Sequence, residues 1–441
     1  MRYPKFLPEN GTIGFVAPSF GCNMEPYRSA FDNAQKKFRE MGYGVSLGPN
    51  CYAGDGIGIS SSPENCGREL TEFYCSEKND VLISCGGGEL MCEDLDHVGF
   101  DRIREADPKW YLGYSDNTNF TFLLATLCDT AAVYGPCAAA FGMEPWHPAI
   151  QDAFDVLRGK KLAQTGYARW EKESKKDEEH PTVPYNVTEP RVLRGYIPGW
   201  KGNAEKKGSL QAGKQTAEAA SLTEEGKGAW KTAGEDSADF WKKAEGKIAV
   251  KAAAAKPAGS DQSAACEAGE NMEKTFFTEG SAAGGHLFES GAYILDRKSP
   301  EIHMEGRLIG GCLDVLCMLA GTKYDHVKEF AERYRDDGLI WFLESCDLNV
   351  MGIRRALWQL SHAGWFAHAE GFLIGRPLCF GQELMGLDQY GAVTGALGGY
   401  GVPIVMDADF GHLPPAMPLI SGSLAEVTVK GQKMKVKMEL K

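Results

Sequence analysis

The sequence predicts an α/β protein of two domains with a further segment inserted between them. Short apolar, β-prone runs alternate with segments of helical period up to about residue 160 and again after residue 300, which is the strand–helix–strand rhythm of an α/β domain. The chain has 441 residues, too many for one ordinary domain. Between the two patterned halves, residues 199–290 change character: Ala, Gly, Lys and Glu dominate and β-branched residues are few.

Taken in order, Thr12–Ala17 (TIGFVA) reads as the first strand, stopped by Pro18-Ser19-Phe20-Gly21. A helix follows over Pro26–Met41 and a second strand over Tyr43–Leu47. Residues 51–63, rich in Gly and Ser, read as a loop. A helix containing Leu70 and Phe73 leads into a third strand, Asp80–Ser84, which runs into Cys85-Gly86-Gly87-Gly88-Glu89. Three glycines in a row let backbone N–H groups approach an anion, or simply make a tight turn. They match neither the dinucleotide fingerprint nor a P-loop, since the second-glycine spacing and the Gly-Lys pair are absent. Trp110–Leu127 (WYLGYSDNTNFTFLLATL) reads as a strand, an abrupt turn at Gly113-Tyr114-Ser115-Asp116, and a helix. A strand at Thr130–Tyr134 and a helix at Ile150–Leu157 close a first domain spanning 1–160.

Residues 161–198 read as a linker carrying Tyr167, Trp170 and Tyr185. The 199–290 insertion, with Trp230, Phe240 and Trp241 as its main apolar anchors, is too poor in core residues for an independent domain. It reads as a helical or partly disordered surface addition, with a lid over a site as the alternative. A C-terminal domain spans 291–441, and order returns at Gly306–Gly311. A helix over Cys312–Leu319 follows, then a buried strand, Gly338–Leu343, ending at Glu344. Ile353, Ala356, Leu357 and Leu360 place one packed face on a helix over Val350–Ala363. Strands follow at Gly371–Gly375 and Val402–Met406, and the second runs into Asp407-Ala408-Asp409-Phe410-Gly411-His412. Leu424–Met438 alternates about Gly431-Gln432, the pattern of a terminal hairpin.

Composition narrows the function classes. Net charge is -13, which argues against nucleic acid or an anionic membrane surface as the main partner. No apolar run reaches the roughly 18 residues of a membrane span, and the N-terminal apolar stretch reads as a strand rather than a secretion signal, so a cytoplasmic protein is expected. The 13 cysteines, among them Cys85, Cys128, Cys312, Cys317 and Cys379, sit in apolar segments and read as small buried residues of a reducing compartment. No paired C-x-x-C motifs point to structural zinc.

Ser115, Glu344 and His412 share one placement, at or just beyond the C-terminal end of a strand. That edge of an open α/β sheet is where ligands and reacting groups gather. A serine between strand and helix can act as a nucleophile with the helix-end N–H groups as an oxyanion site, or merely cap the helix. His412, in the loop FGHLPP, suits a general base or a structural role. Glu344, ending an apolar run, needs a partner if buried. His412 is the partner expected, with Asp347, Asp407 and Asp409 as competing acids. Asp407, Asp409 and His412 could also bind a divalent ion, the main rival chemistry.

The stretches TIGFVAPS, the strand entering the triple glycine, GYSDNT, GRLIGG, WFLES and DFGHLPPAMPLI resemble, in this order, the serine LD-carboxypeptidases (peptidase S66) and their relatives that confer self-immunity to the peptide–nucleotide antibiotic microcin C7. The resemblance covers about residues 10–160 and 300–441. It implies a flavodoxin- or Rossmann-like N-terminal domain carrying the nucleophile Ser115. A C-terminal α/β domain with mixed strands would supply Glu344 and His412 across a cleft. It implies an oxyanion hole from the backbone of Asp116 and of Gly87 or Gly88, a homodimer, and no metal or cofactor. Two departures stand out: Cys85-Gly86-Gly87-Gly88 where relatives usually carry a side chain, and Cys312 where they tend to have asparagine. The implied activity is amide hydrolysis through an acyl-enzyme. The substrate is either a murein tetrapeptide, cut before its terminal D-Ala, or an aminoacyl or peptidyl nucleotide. Trp170 and Tyr185 are candidate platforms for a nucleobase, with packing as the alternative. A non-catalytic peptide- or sugar-binding protein on the same fold is the reading from another class.

Overall fold

The computed structural model describes residues 1–202 and 291–441. The expected insertion at 199–290 therefore lies, apart from its edges, outside the described residues. In chain order the strands are β1 (Thr12–Val16), β2 (Gly44–Leu47), β3 (Val81–Ser84), β4 (Trp110–Gly113), β5 (Ala132–Tyr134), β6 (Ala163–Gln164), β7 (Arg169–Glu171), β8 (Val187–Pro190), β9 (Arg194–Tyr196) and β10 (Tyr293–Ile294). They continue with β11 (Ile302–Cys312), β12 (Leu339–Glu344), β13 (Ala369–Gly375), β14 (Glu383–Leu384), β15 (Leu387–Asp388), β16 (Ile404–Ala408), β17 (Leu419–Ser421), β18 (Leu424–Lys430) and β19 (Lys433–Glu439).

The first half forms a sheet of order β17-β5-β4-β3-β1-β2. Its five sequence-early strands run parallel; β1, β3, β4 and β5 are short, apolar and largely buried, as a doubly covered parallel sheet requires, and the edge strand β2 is partly exposed. Helix Tyr27–Glu40 covers one face with Ala30, Phe31, Ala34 and Phe38, spaced three or four apart. Helix Pro63–Cys75 starts where the sequence has Ser62-Pro63: the Ser62 hydroxyl accepts the Asn65 N–H, and proline occupies the first turn. The second half forms a sheet of order β10-β9-β16-β13-β12-β11-β18-β19-β6. Parallel strands β11, β12, β13 and β16 form its centre, and antiparallel strands flank them.

Sequence periodicity locates most of these elements to within a residue or two. It does not show how the halves interlock. Leu419–Ser421 leaves the C-terminal half and pairs antiparallel with β5 of the first sheet. Segment 161–198, expected as a linker, supplies β6 and β9 to the second sheet and pairs β7 with β8. These strands are two to four residues long, too short for alternation to register. Helix Thr118–Thr126 is buried on all sides. It packs between the halves, where Phe122 stacks on Trp365 and the Thr118 hydroxyl accepts the Cys312 N–H at 3.0 Å. All described residues belong to one compact unit.

Candidate active site

Strand β4 ends at Gly113, and the chain turns through a single 3-10 turn, Ser115–Asn117, into helix Thr118–Thr126. Ser115 has φ 63°, a left-handed conformation that costs a non-glycine residue on the order of 1 kcal/mol or more. The surroundings hold it there. The Asn117 amide donates to the Gly86 carbonyl at 2.8 Å and to the Tyr114 carbonyl at 3.1 Å, while its oxygen accepts the Tyr111 hydroxyl. Asn117 stands where a hydrolase elbow has its second glycine, and it staples the turn to the triple-glycine loop. The Asp116 carboxylate is buried and accepts the Ser19 hydroxyl at 2.6 Å, the Met91 N–H at 3.0 Å and the Asn119 amide at 3.0 Å. Burial raises its pKa to about 6.

The Ser115 hydroxyl caps no helix. It lies 2.8 Å from His412 Nε2, and His412 Nδ1 lies 2.8 Å from Glu344 Oε2. The carboxylate accepts a hydrogen bond from Nδ1–H, which fixes that proton on Nδ1 and leaves Nε2 free to accept the hydroxyl proton. Glu344 is the last residue of β12 and is 2 % exposed. Its other oxygen accepts the Tyr134 hydroxyl at 2.5 Å. Burial alone would raise the Glu344 pKa, yet the charge of His412 and hydrogen bonds from His412, Tyr134 and Cys312 hold it below the ordinary carboxylate value. Burial likewise disfavours the charged imidazole, but the Glu344 charge and hydrogen bonds to Cys346 and Glu344 raise His412 well above 6.5.

Glycines clear the space around this chain of groups. A Cβ on Gly87 would stand 3.2 Å from Ser115 Oγ, so Gly87 is the glycine that faces the serine. Gly88 turns elsewhere, with the Ser19 hydroxyl and the Gly58 carbonyl in its way. Gly411, at φ 103°, would put a Cβ 2.8 Å from Glu344 Oε2. Two of the competing acids are committed: Asp409 pairs with Arg376 at 2.7 Å and Arg191 at 2.9 Å, and Asp407 accepts the Tyr390 hydroxyl at 2.8 Å. Asp407, Asp409 and His412 thus do not converge on an ion. Among the described residues the one group spaced for a metal is His303, Glu305 and Glu426, exposed on the second sheet.

The two aromatic candidates part company. Trp170 is 4 % exposed, donates to the Pro190 carbonyl at 3.2 Å, and packs against Phe380 and the Arg376 guanidinium. It shields the Arg376–Asp409 pair and presents no face to a ligand, so the packing alternative holds for it. Tyr185 lines a cavity of about 180 Å³ together with Gly86, Gly87 and Tyr114, on the nucleophile side of the site. Tyr134 was not legible as a site residue. Its Oη accepts the Ser115 N–H at 3.3 Å while its hydroxyl donates to Glu344, so one side chain ties the nucleophile turn to the acid. The only signal for it was its place at the end of β5. Among the described residues no helix is long and apolar enough to cross a membrane.

Comparison with known proteins fits this geometry. The model of the LD-carboxypeptidase N-terminal domain matches residues 13–135 and that of the C-terminal domain residues 305–427. No curated protein matches the sequence significantly. Among solved structures, an MccF-like protein from Bacillus anthracis is similar over 100% of both chains, with a TM-score of 0.64 at 16% identity. MccF in complex with glutamyl sulfamoyl guanosine gives 0.63 at 15% identity over 99% of this chain and 98% of that one. An MccF-like protein from Streptococcus pneumoniae in complex with AMP gives 0.60 at 15% over 97% and 98%. At these identities the structures show a shared fold. With both domain models matched in order over more than half of its length, the chain belongs to the LD-carboxypeptidase family, peptidase S66, and so to the serine peptidases.

Proposed function

We propose that the protein hydrolyses an amide bond through Ser115, His412 and Glu344, and that its substrate is a small aminoacyl or peptidyl conjugate. One observation carries the reading: two 2.8 Å hydrogen bonds link Ser115 Oγ through the His412 ring to the Glu344 carboxylate. In this reading His412 Nε2 takes the Ser115 proton as Oγ attacks the carbonyl carbon. The oxyanion is stabilised by the Asp116 N–H and a backbone N–H of the Gly87 segment. His412 then passes its proton to the leaving nitrogen, the C–N bond breaks, and water repeats the sequence on the acyl-enzyme with His412 again as base. Glu344 holds the ring's tautomer and stabilises the imidazolium formed at each step.

Two substrates fit the family. The aminoacyl nucleotide is supported by the relatives of like fold that hold glutamyl sulfamoyl guanosine, aspartyl sulfamoyl adenosine and AMP, and by the Tyr185-lined cavity beside Ser115. The murein tetrapeptide is supported by the family's LD-carboxypeptidase domains. Incubation with a murein tetrapeptide and with an aminoacyl sulfamoyl adenosine, with products identified by mass, decides between them. Ser115→Ala is expected to lower turnover of the accepted substrate by about 10⁴-fold or more while the fold survives. Wild-type turnover in that variant would overturn the assignment. A non-catalytic binding protein predicts no stoichiometric phosphonylation of Ser115 by a fluorophosphonate, whereas a serine hydrolase predicts full labelling.

A further inference from the structure

The cavity beside Ser115 has a charged end that the reaction chemistry above does not use. Its wall nearest the nucleophile is Gly86 and Gly87, and its other lining residues include Tyr27, Tyr114, Tyr185 and Lys176. Lys176 comes from the charge-rich stretch EKESKKDEEH, which in sequence reads as a solvated surface segment. The structure turns this one lysine inward. Its neighbours Lys172, Glu173, Lys175 and Asp177 are exposed, whereas Lys176 is half-buried. Its ammonium lies 5.2 Å from the centroid of the Tyr27 ring, a cation–π contact that positions a charge without neutralising it.

Among the described residues no carboxylate forms a salt bridge with Lys176. Glu171, the nearest acid with influence on it, is itself a cavity residue, and its Oε2 already accepts the Asn186 N–H. Burial pulls the Lys176 pKa down, and Glu171 and Cys22 only partly offset that. A half-desolvated ammonium set against a ring face at an open cavity lacks the counter-charge such a group ordinarily acquires. The cavity that holds it also reaches the glycine against Ser115 Oγ. An anion bound there would sit on the same ligand whose carbonyl meets the serine.

We propose that Lys176 is a specificity-determining residue that binds the anionic group flanking the scissile amide of the substrate, with Tyr27 fixing its ammonium. The proposal rests on the hydrolase reading of Ser115 and goes beyond it. The shared ligand chemistry is an oxyanion close to the amide, supplied either by the terminal carboxylate of a peptide or by the phosphate-type group of an aminoacyl nucleotide. Neutral analogues of the same shape forfeit one charge-assisted hydrogen bond, worth about tenfold or more in affinity.

The test uses Ser115→Ala, so that binding is read without turnover and a failure of the hydrolase reading stays separate. Affinities are measured for a murein tetrapeptide against its C-terminal carboxamide, and for AMP against adenosine, in the presence and absence of Lys176→Gln. One pair is expected to show about a tenfold or larger preference for the charged ligand, and that pair identifies the source of the anion. Lys176→Gln is expected to bring the ratio close to one, and Lys176→Arg to retain most of it. Two results would overturn the proposal: a preference that Lys176→Gln leaves intact, or no preference in either pair. Loss of the preference in Lys176→Arg as complete as in Lys176→Gln would overturn it as well, because charge would then not be its origin.

Discussion

The nucleophile turn and the acid–base edge meet at 2.8 Å but are held by different means. Ser115 is fixed by its own neighbourhood. Asn117 two residues on, Tyr111 on the preceding strand and Gly86 on the adjacent loop close a short hydrogen-bonded ring around the turn. His412 is fixed from afar. Its partner Glu344 is 68 positions away in the chain, and that acid is steadied by Tyr134, 210 positions from it in the other half. The turn stores strain in a local hydrogen-bonded frame, whereas the edge depends on two sheets being interlocked. Disturbing the edge should therefore alter the protonation and aim of the base, while disturbing the turn should alter where the hydroxyl stands.

The edge gives the largest expected effect after loss of the nucleophile itself. Glu344→Gln keeps the shape but removes the charge that steadies the imidazolium and fixes its tautomer. Turnover should fall on the order of 10³-fold with little change in KM. Turnover within a few-fold of wild type would show that the edge does not control the base. The turn is probed by Gly87→Ala. The added methyl would stand 3.2 Å from Ser115 Oγ, so the hydroxyl or the loop must give by a few tenths of an ångström. A misplacement of that kind is expected to cost about 10²-fold in kcat/KM. Its mark should be slowed phosphonylation of Ser115 with the acid limb of the pH profile unmoved. A shifted limb in Gly87→Ala would break the separation between the two regions.

The same contrast explains what the sequence could show. The turn is legible because its causes are local: an apolar strand, Gly113, a serine and an apolar helix follow one another without interruption. Glu344 and His412 were legible as strand-end residues and were expected to pair, but the local sequence left Asp347, Asp407 and Asp409 as competing acids. Asp407 and Asp409 are nearer in sequence, and only the tertiary structure shows them bound to Tyr390 and to two arginines. Tyr134 and Lys176 illustrate the limit. One looks like an ordinary strand residue and the other like an ordinary surface charge, and each acquires its role from a segment far along the chain or from the fold of its loop. Trp170 errs the other way: an aromatic side chain in a polar stretch invites a ligand reading, while the fold spends it on covering a buried arginine.

The smallest and sharpest test is the position of the acid limb. His412 must be neutral at Nε2 to accept the Ser115 proton, so activity falls as pH drops through its pKa. Because Glu344, together with Cys346, outweighs the effect of burial and raises that pKa well above 6.5, the limb in kcat/KM should have its midpoint above 6.5. In Glu344→Gln burial acts with less opposition, and the midpoint of the residual activity should move to lower pH. Stability follows with its own signs. The raised His412 contributes stability that is full below its unfolded pKa and lost as pH rises through the folded one. The lowered Glu344 contributes stability that is present above its unfolded pKa and lost as pH falls through the folded one. The pair therefore stabilises most between the two unfolded values, and Glu344→Gln should flatten the fall of the melting temperature on either side of that interval. A wild-type limb at or below 6.5 would mean that burial prevails over both partners, and one that Glu344→Gln leaves in place would mean that the base takes its strength from Cys346 and its loop rather than from the acid across the sheet.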